Sequence, residues 1–192
     1  MSAEGVKGRT SIVEPTTAER AIARRAAESR ATVPHLDCSV AAPAGALSTA
    51  MLVHASALAL REHPRANAAY RDGRFELYSR VNVGVVAATA DAYLIPTVLD
   101  ADAKPVDQLA EEIEQLSSAA AAGELAAPAF SGATFTVWNA AELGLAAASL
   151  PVVPPQAAAL TAGTGALTLA CDHRILYGAR AAAFLGAIAS SL

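Results

Sequence analysis

Along this chain, segments whose apolar residues recur every three or four positions alternate with segments where they recur every second position. That interleaving restricts the fold most, because it demands helices packed on a sheet. Thr16-x-x-Glu19 has the form of a capping box and predicts a first helix to about Arg30. Its inner face would carry Ile22, Ala23 and Ala26, with Arg20, Arg24 and Arg25 mostly outside. A second helix, from about Ser48 to His63, is apolar almost all round and so is expected to be buried on more than one side, with Pro64 ending it. Asp72-Gly73 supplies a turn before a strand over 76–87, and a second strand follows at Leu94 to Leu99. Pro105 marks a first helical position, after which Val106, Leu109, Ile113 and Leu116 face inward and Glu111, Glu112 and Glu114 face water, up to Gly123. Strands are expected at Thr134–Trp138 and Ala166–Cys171. A last helix opens at Gly178 with Ala182, Leu185 and Ile188 inward. The class is therefore α/β (α+β), with a flexible N-terminal segment over 1–15 and one domain over 16–192. No internal repeat or linker divides it.

Fifty of the 192 residues are alanine, nearly half of the 54% hydrophobic fraction. Alanine buries little area, so the core must rest on close backbone approach or on burial between subunits. A net charge of −4 gives no electrostatic footprint for nucleic acid or an anionic membrane. The uncharged stretches 38–60 and 143–171 are broken by proline and glycine, so neither reads as a membrane span. The first fifteen residues lack the apolar run of a signal peptide. Cys38 and Cys171, far apart and without metal-ligand spacing, read as small buried hydrophobes rather than a disulfide or zinc site. A soluble cytoplasmic protein without metal is expected.

Phosphate-loop, nucleophile-elbow and His-Glu-x-x-His patterns are all missing. Of four histidines, His63 reads as a helix-end cap, His54 as a core residue and His35 as structural rather than site-lining. His173 differs. It lies between Asp172 and Arg174, after one strand and before a helix, where a scaffold presents a side chain in a fixed position. On residues alone, a catalytic and a structural role both remain open for it.

The tripeptide gains weight from its company. "LTLACDHRILYGARAAAFLGAI" (167–188), "TFTVWNAAELG" (134–144) and "PVVPPQAAAL" (151–160) together resemble the catalytic domain of the dihydrolipoamide acyltransferase component of 2-oxo acid dehydrogenase complexes. More distantly they resemble chloramphenicol acetyltransferase. "AIARR" (21–25), "TVPH" (32–35), "ASALALREHPRANA" (55–68), "RVNVGV" (80–85) and "IPTVLDADAKPVDQLAEEI" (95–113) agree in order, so the resemblance covers about residues 16–190. It implies a chloramphenicol acetyltransferase-like sandwich of mixed β-sheet and helices that forms trimers, sometimes built into cages. It further implies that His173 takes the thiol proton of coenzyme A or dihydrolipoamide, in a channel between adjacent subunits. The thiolate then attacks a thioester carbonyl. A thiol of pKa about 8.5 is only a few per cent ionised at neutral pH, and a neutral imidazole is well matched to remove its proton.

Several positions depart from the family pattern. Trp138 stands where a serine or threonine hydroxyl would bond the oxyanion, and Thr136 shares its face but lies roughly 6.6 Å along the strand. Loss of such a donor typically costs about 10²–10³ in rate. Tyr177 replaces the family's carboxylate or amide, and Leu99 stands where a basic residue usually precedes "DAD". The chain is trimmed near 41–48 and 164–166, the second trim removing a β-hairpin. No lipoyl or subunit-binding domain is expected, and "DADAK" (100–104) is no lipoylation site, so no lipoyl group attaches to this chain. The first reading is an acyltransferase (a transferase) moving an acyl group between a coenzyme A thioester and a thiol or other small nucleophile. In it, His173 is the general base and Trp138 or Thr136 the oxyanion donor. The alternative is a catalytically degenerate structural trimer or cage subunit. A third reading has Trp138 and Tyr177 lining a remodelled ligand pocket.

Overall fold

Thr16 and Glu19 form the predicted capping box: the Thr16 hydroxyl accepts from Glu19 N at 3.2 Å, and the Glu19 carboxylate accepts from Thr16 N at 2.6 Å. Helix α1 (Thr17–Thr32) follows. The computed structural model describes residues 8–90 and 92–192, so the first seven residues of the expected N-terminal segment lie outside the described residues. Ile22, Arg25 and Ala26 of α1 are half-buried and Ser29 is buried, whereas Ala23, expected inside, is exposed.

Strand β1 (His35–Ala41) leads to helix α2 (Thr49–Glu62), which is capped by the Ser48 hydroxyl and ends at His63 before Pro64. Leu52, Val53, Ala57, Ala59 and Leu60 of α2 are almost wholly buried, as its all-round apolar character requires, although Leu58 is exposed. A hairpin of β2 (Ala68–Arg71) and β3 (Arg74–Leu77) turns at Asp72-Gly73, both at positive φ. Then come the short strands β4 (Val83–Val85), β5 (Ala87–Ala88), β6 (Tyr93–Leu94) and β7 (Thr97–Val98), and helix α3 (Val106–Ala122). Pro105 is the N-cap of α3 and Gly123, left-handed, its C-cap. Strands β8 (Phe135–Asn139), β9 (Ala158–Ala162) and β10 (Ala166–Asp172) precede the last helix, α4 (Gly178–Ser190).

Six strands form one sheet in the order β1-β10-β9-β8-β4-β7. Strand β8 runs parallel to β4 and β9, and the remaining pairs are antiparallel, so the sheet is mixed. Phe135 and Val137 of β8, Leu160 of β9, and Leu167, Leu169 and Cys171 of β10 share a core with α2, α3 and α4. The inward residues of α4 are Ala181, Phe184, Leu185 and Ile188, and Ala182 is exposed, which corrects its expected facing by one position. Val33, Ala170 and Val152 make a small second cluster beside the end of α1.

The expected strand over 76–87 does not exist as one piece. Asn67 intervenes: its carbonyl accepts from Tyr78 N, and its amide donates to the carbonyls of Tyr78 and Arg80 at 3.0 and 2.9 Å. That grip pulls 78–82 out of the ladder. The expected strand at 94–99 is cut at Pro96, which has no N–H to give the ladder. Strands β1, β2 and β9 lie outside the segments whose periodicity marked them. Between β9 and β10 the chain turns over Gly163–Gly165, where a Cβ on Gly163 would stand 2.3 Å from the carbonyl oxygen of Ala146. No helix of the described residues is long and apolar enough to cross a membrane.

Candidate active site

Strand β10 delivers Asp172 to a tight corner. Asp172 N donates to the Ala157 carbonyl, and its own carbonyl accepts from Ile175 N and Leu176 N at 2.9 Å each. Ile175 and Leu176 plug into the core and fix the corner from below, while His173 stands exposed. The backbone N–H of His173 donates to the Pro34 carbonyl at 2.8 Å, tying it to the start of β1. The Asp172 side chain is 4% exposed and accepts from Arg174 N at 3.0 Å. The Arg174 guanidinium closes on the same carboxylate, Nε to Oδ1 at 2.9 Å and Nη2 to Oδ2 at 2.6 Å, and lies 4.7 Å from the Tyr70 ring centroid. That carboxylate holds the Arg174 pKa above its ordinary value. The imidazole thus projects from between two residues locked to each other.

The other histidines take structural positions. His35 pairs with Asp172 in the β1–β10 register, and its Nε2 lies 3.1 Å from the Ser29 hydroxyl. That hydroxyl donates to the Val152 carbonyl at 2.5 Å, so Nε2 carries the proton toward Ser29 and Nδ1 is left buried without a partner. His63 is the C-cap of α2, its ring edge-on to Phe184. His54 has a buried, unpartnered Nδ1.

Two cavities receive Trp138 and Tyr177, and neither Thr136 nor His173 lines either of them. Trp138, half-buried on β8 opposite Thr161 of β9, walls one of about 350 Å³ together with Tyr93, Asn139, Glu142, Ser149 and Leu150. Thr136 is completely buried and its hydroxyl donates to Gln156 Oε1 at 2.7 Å. Tyr177, at the N-cap of α4 and half-exposed, borders the other, about 490 Å³, with His63, Arg65 and Arg180. Its hydroxyl accepts from Arg180 Nε at 3.0 Å. Within one chain, therefore, Trp138 and Thr136 share a strand face and Tyr177 follows His173 around the corner, but the two pairs are not brought together.

Sequence reasoning missed Tyr93, Asn139 and Glu142. Asn139 Nδ2 donates to the Leu47 carbonyl and to Glu142 Oε1, both at 3.0 Å, and Glu142 Oε1 also accepts from the Thr49 hydroxyl at 2.8 Å. Glu142 did carry a signal, since no other charged residue lies between Glu124 and Asp172. Cys38 and Cys171 are free and come from neighbouring strands, Cys38 opposite Leu169 and Cys171 opposite Leu36. Burial raises both thiol pKa values, that of Cys171 to about 12, so neither is poised as a nucleophile. Among the described residues, no group of three or more His, Cys, Asp or Glu is placed to hold a metal.

Residues 46–167 match the family described as 2-oxoacid dehydrogenases acyltransferase (catalytic domain), a match that ends five residues before Asp172. The dihydrolipoyllysine-residue acetyltransferase component of the mitochondrial pyruvate dehydrogenase complex of Dictyostelium discoideum is 29% identical over 199 residues, covering 85% of this chain and 31% of its own. This chain spans about a third of the length of such relatives. The cubic core of the pyruvate dehydrogenase multienzyme complex superposes with a TM-score of 0.90 at 25% identity, over 95% of this chain and 91% of that one. A chloramphenicol acetyltransferase superposes with a TM-score of 0.56 at 13% identity, over 95% of this chain and 99% of that one, and so shares the fold.

Proposed function

This chain belongs to the 2-oxoacid dehydrogenases acyltransferase (catalytic domain) family, and on that premise we propose that it moves an acyl group from a coenzyme A thioester to a thiol or other small nucleophile. The observation that carries the reading is the exposed His173 on its corner, set between Asp172 and Arg174. In the direction written, His173 accepts the acceptor thiol's proton, the thiolate adds to the thioester carbonyl, and the tetrahedral oxyanion collapses. Coenzyme A leaves as its thiol, reprotonated by the imidazolium, and the acceptor leaves as the new thioester.

Trp138 Nε1 is the donor available to the oxyanion on this reading. Thr136 gives its proton to Gln156 and braces the strand instead. Because the cavity walled by Trp138 does not include His173 of the same chain among the described residues, the proposed site joins His173 of one protomer to Trp138 of the next, in a homo-oligomer with trimeric contacts. The cubic core of the structural relative supports a homo-oligomer. Residues 16–192 act as one domain, since β1 and β10, from opposite ends of it, are sheet neighbours. The expected cytoplasmic setting suits two unbridged thiols.

The test is thiol release from acetyl-, propionyl- and longer acyl-coenzyme A with dihydrolipoamide as acceptor, wild type beside His173→Ala. Turnover that vanishes in an intact His173→Ala oligomer is the expected result. A structural subunit without chemistry would give no turnover in either protein.

A further inference from the structure

The cavity beside Trp138 has a polarity of its own. Tyr93 and Trp138 supply aromatic faces, and Val86, Leu143, Leu150 and Pro151 supply the apolar walls. At about 350 Å³ it falls in the range of small-molecule sites, roughly 300–1,000 Å³. Among the described residues of one chain, its single charged wall residue is Glu142, itself exposed, and no Lys or Arg lines it; the one histidine brought near it is His173 of the next protomer in the proposed oligomer. Ser149 adds a hydroxyl whose proton goes to Asp37 Oδ1 at 3.0 Å, which puts a second carboxylate one hydrogen bond behind the wall. Arg25 lies in an adjoining crevice that also touches Tyr93 and Leu150.

Glu142 is positioned rather than loose. Asn139 and Thr49 both donate to Oε1, leaving Oε2 without a partner among the described residues. A fixed carboxylate beside two aromatic faces, with acceptors and no competing cation in the wall, is complementary to a positive charge on an apolar body. We propose that this cavity binds an organic ammonium ion: a primary amine in its protonated form, carried on a short hydrocarbon chain. Its head lies against Glu142 Oε2 and the faces of Trp138 and Tyr93, and its chain lies along Leu143, Leu150 and Pro151. The site shares Trp138 with the proposed acyl-transfer centre but needs no turnover to be occupied.

Trp138 is the protein's sole tryptophan, so its emission reports on this cavity and, with no acyl donor or acceptor present, on no other ligand. The assembled protein is titrated at neutral pH and constant ionic strength with hexylammonium, 1-hexanol and hexanoate, in the wild type, Glu142→Gln and Tyr93→Leu. No acyl donor is present, so failure here is distinct from failure of the His173→Ala turnover test. Hexylammonium should change the emission saturably and bind at least about fivefold more tightly than hexanol, with hexanoate weakest. Glu142→Gln, which keeps an oxygen for Asn139 and Thr49, should lose that preference while leaving hexanol unchanged, and Tyr93→Leu should weaken hexylammonium. Equal binding of hexanol and hexylammonium, no saturable change, or a preference that survives in Glu142→Gln would each overturn the proposal.

Discussion

Asp172 and Arg174 clamp each other across His173: two guanidinium nitrogens reach the two carboxylate oxygens at 2.9 and 2.6 Å, and the residue between them projects into solvent. The Asp172 side chain is only 4% exposed, so this partner supplies most of what water would otherwise give it. Arg174→Ala leaves it buried and compensated only by the Arg174 backbone N–H. The expected loss is about 2–3 kcal/mol, below the full value for a buried pair because the guanidinium is partly in water. Urea unfolding measures it. Arg174→Lys keeps the charge but not the fork, and should fall between wild type and alanine. If the clamp also sets the imidazole's position, Arg174→Ala lowers kcat with little change in KM, whereas a purely structural role leaves kcat per folded molecule unchanged.

The helices were legible because each carries its own start signal or stripe. Thr16-x-x-Glu19, Pro64, Pro105 and Gly123 act within one or two turns, and the structure places their helix ends within a residue or so of the sequence's, with Pro105 as N-cap rather than first helical residue. The strands were harder. Every residue of Ala158–Ala162 is buried, so no alternation exists to be read, whereas β1 does alternate, with Leu36, Cys38 and Val40 against the core, but over only seven residues. Asn67 dismantles the expected strand over 76–87 through hydrogen bonds that periodicity does not encode. At the site, the corner bearing His173 was readable because strand, charge pair and helix start are contiguous. The cavity of Tyr93, Trp138 and Glu142 was not, since it sets residues 86–93 against 138–151, far apart in the chain.

Trp138 occupies the position where a small hydroxyl would serve the proposed chemistry. Trp138→Ser should raise acyl transfer about tenfold or more, with the roughly 10²–10³ that such a donor supplies as the ceiling. Adding Tyr177→Asp, which restores a carboxylate at the N-terminus of α4, should raise it further without unfolding the helix. The measurement is thiol release per active oligomer, and a double variant no faster than wild type would count against degeneration at these two positions.

Gly163 is held against the backbone of the preceding loop. A methyl group there would meet the Ala146 carbonyl oxygen at 2.3 Å and its carbon at 2.6 Å, neither of which can rotate away. The same loop is tied to the turn by Thr164 N to the Leu145 carbonyl and Gly165 N to the Ala146 carbonyl. Gly163→Ala must therefore push the loop off the β9–β10 turn, at a cost of about 1–3 kcal/mol by analogy with overpacking. Thermal unfolding should show the loss. Gly186, with no atom near its would-be Cβ, is the control: Gly186→Ala within α4 should be neutral or stabilising.

Cys171 makes stability depend on alkaline pH. Burial lifts its thiol from an ordinary 9.0 to about 12. Below pH 9 both folded and unfolded chains keep the proton, and this group contributes no pH dependence. Between pH 9 and 12 the unfolded chain releases it while the folded chain retains it, so stability falls by about 1.4 kcal/mol for each pH unit. Cys38 and Tyr93, both raised chiefly by burial, act in the same direction, so the comparison must be made against a variant. Cys171→Ser retains a donor for the carbonyls of Leu36 and Leu176 and does not ionise in this range. The stability difference between wild type and Cys171→Ser should be constant from pH 7 to about 9 and then shift steadily in favour of the serine variant. Urea unfolding under reducing conditions follows it, and parallel curves up to pH 11 would mean that the buried thiol ionises as readily in the folded chain as in the unfolded one.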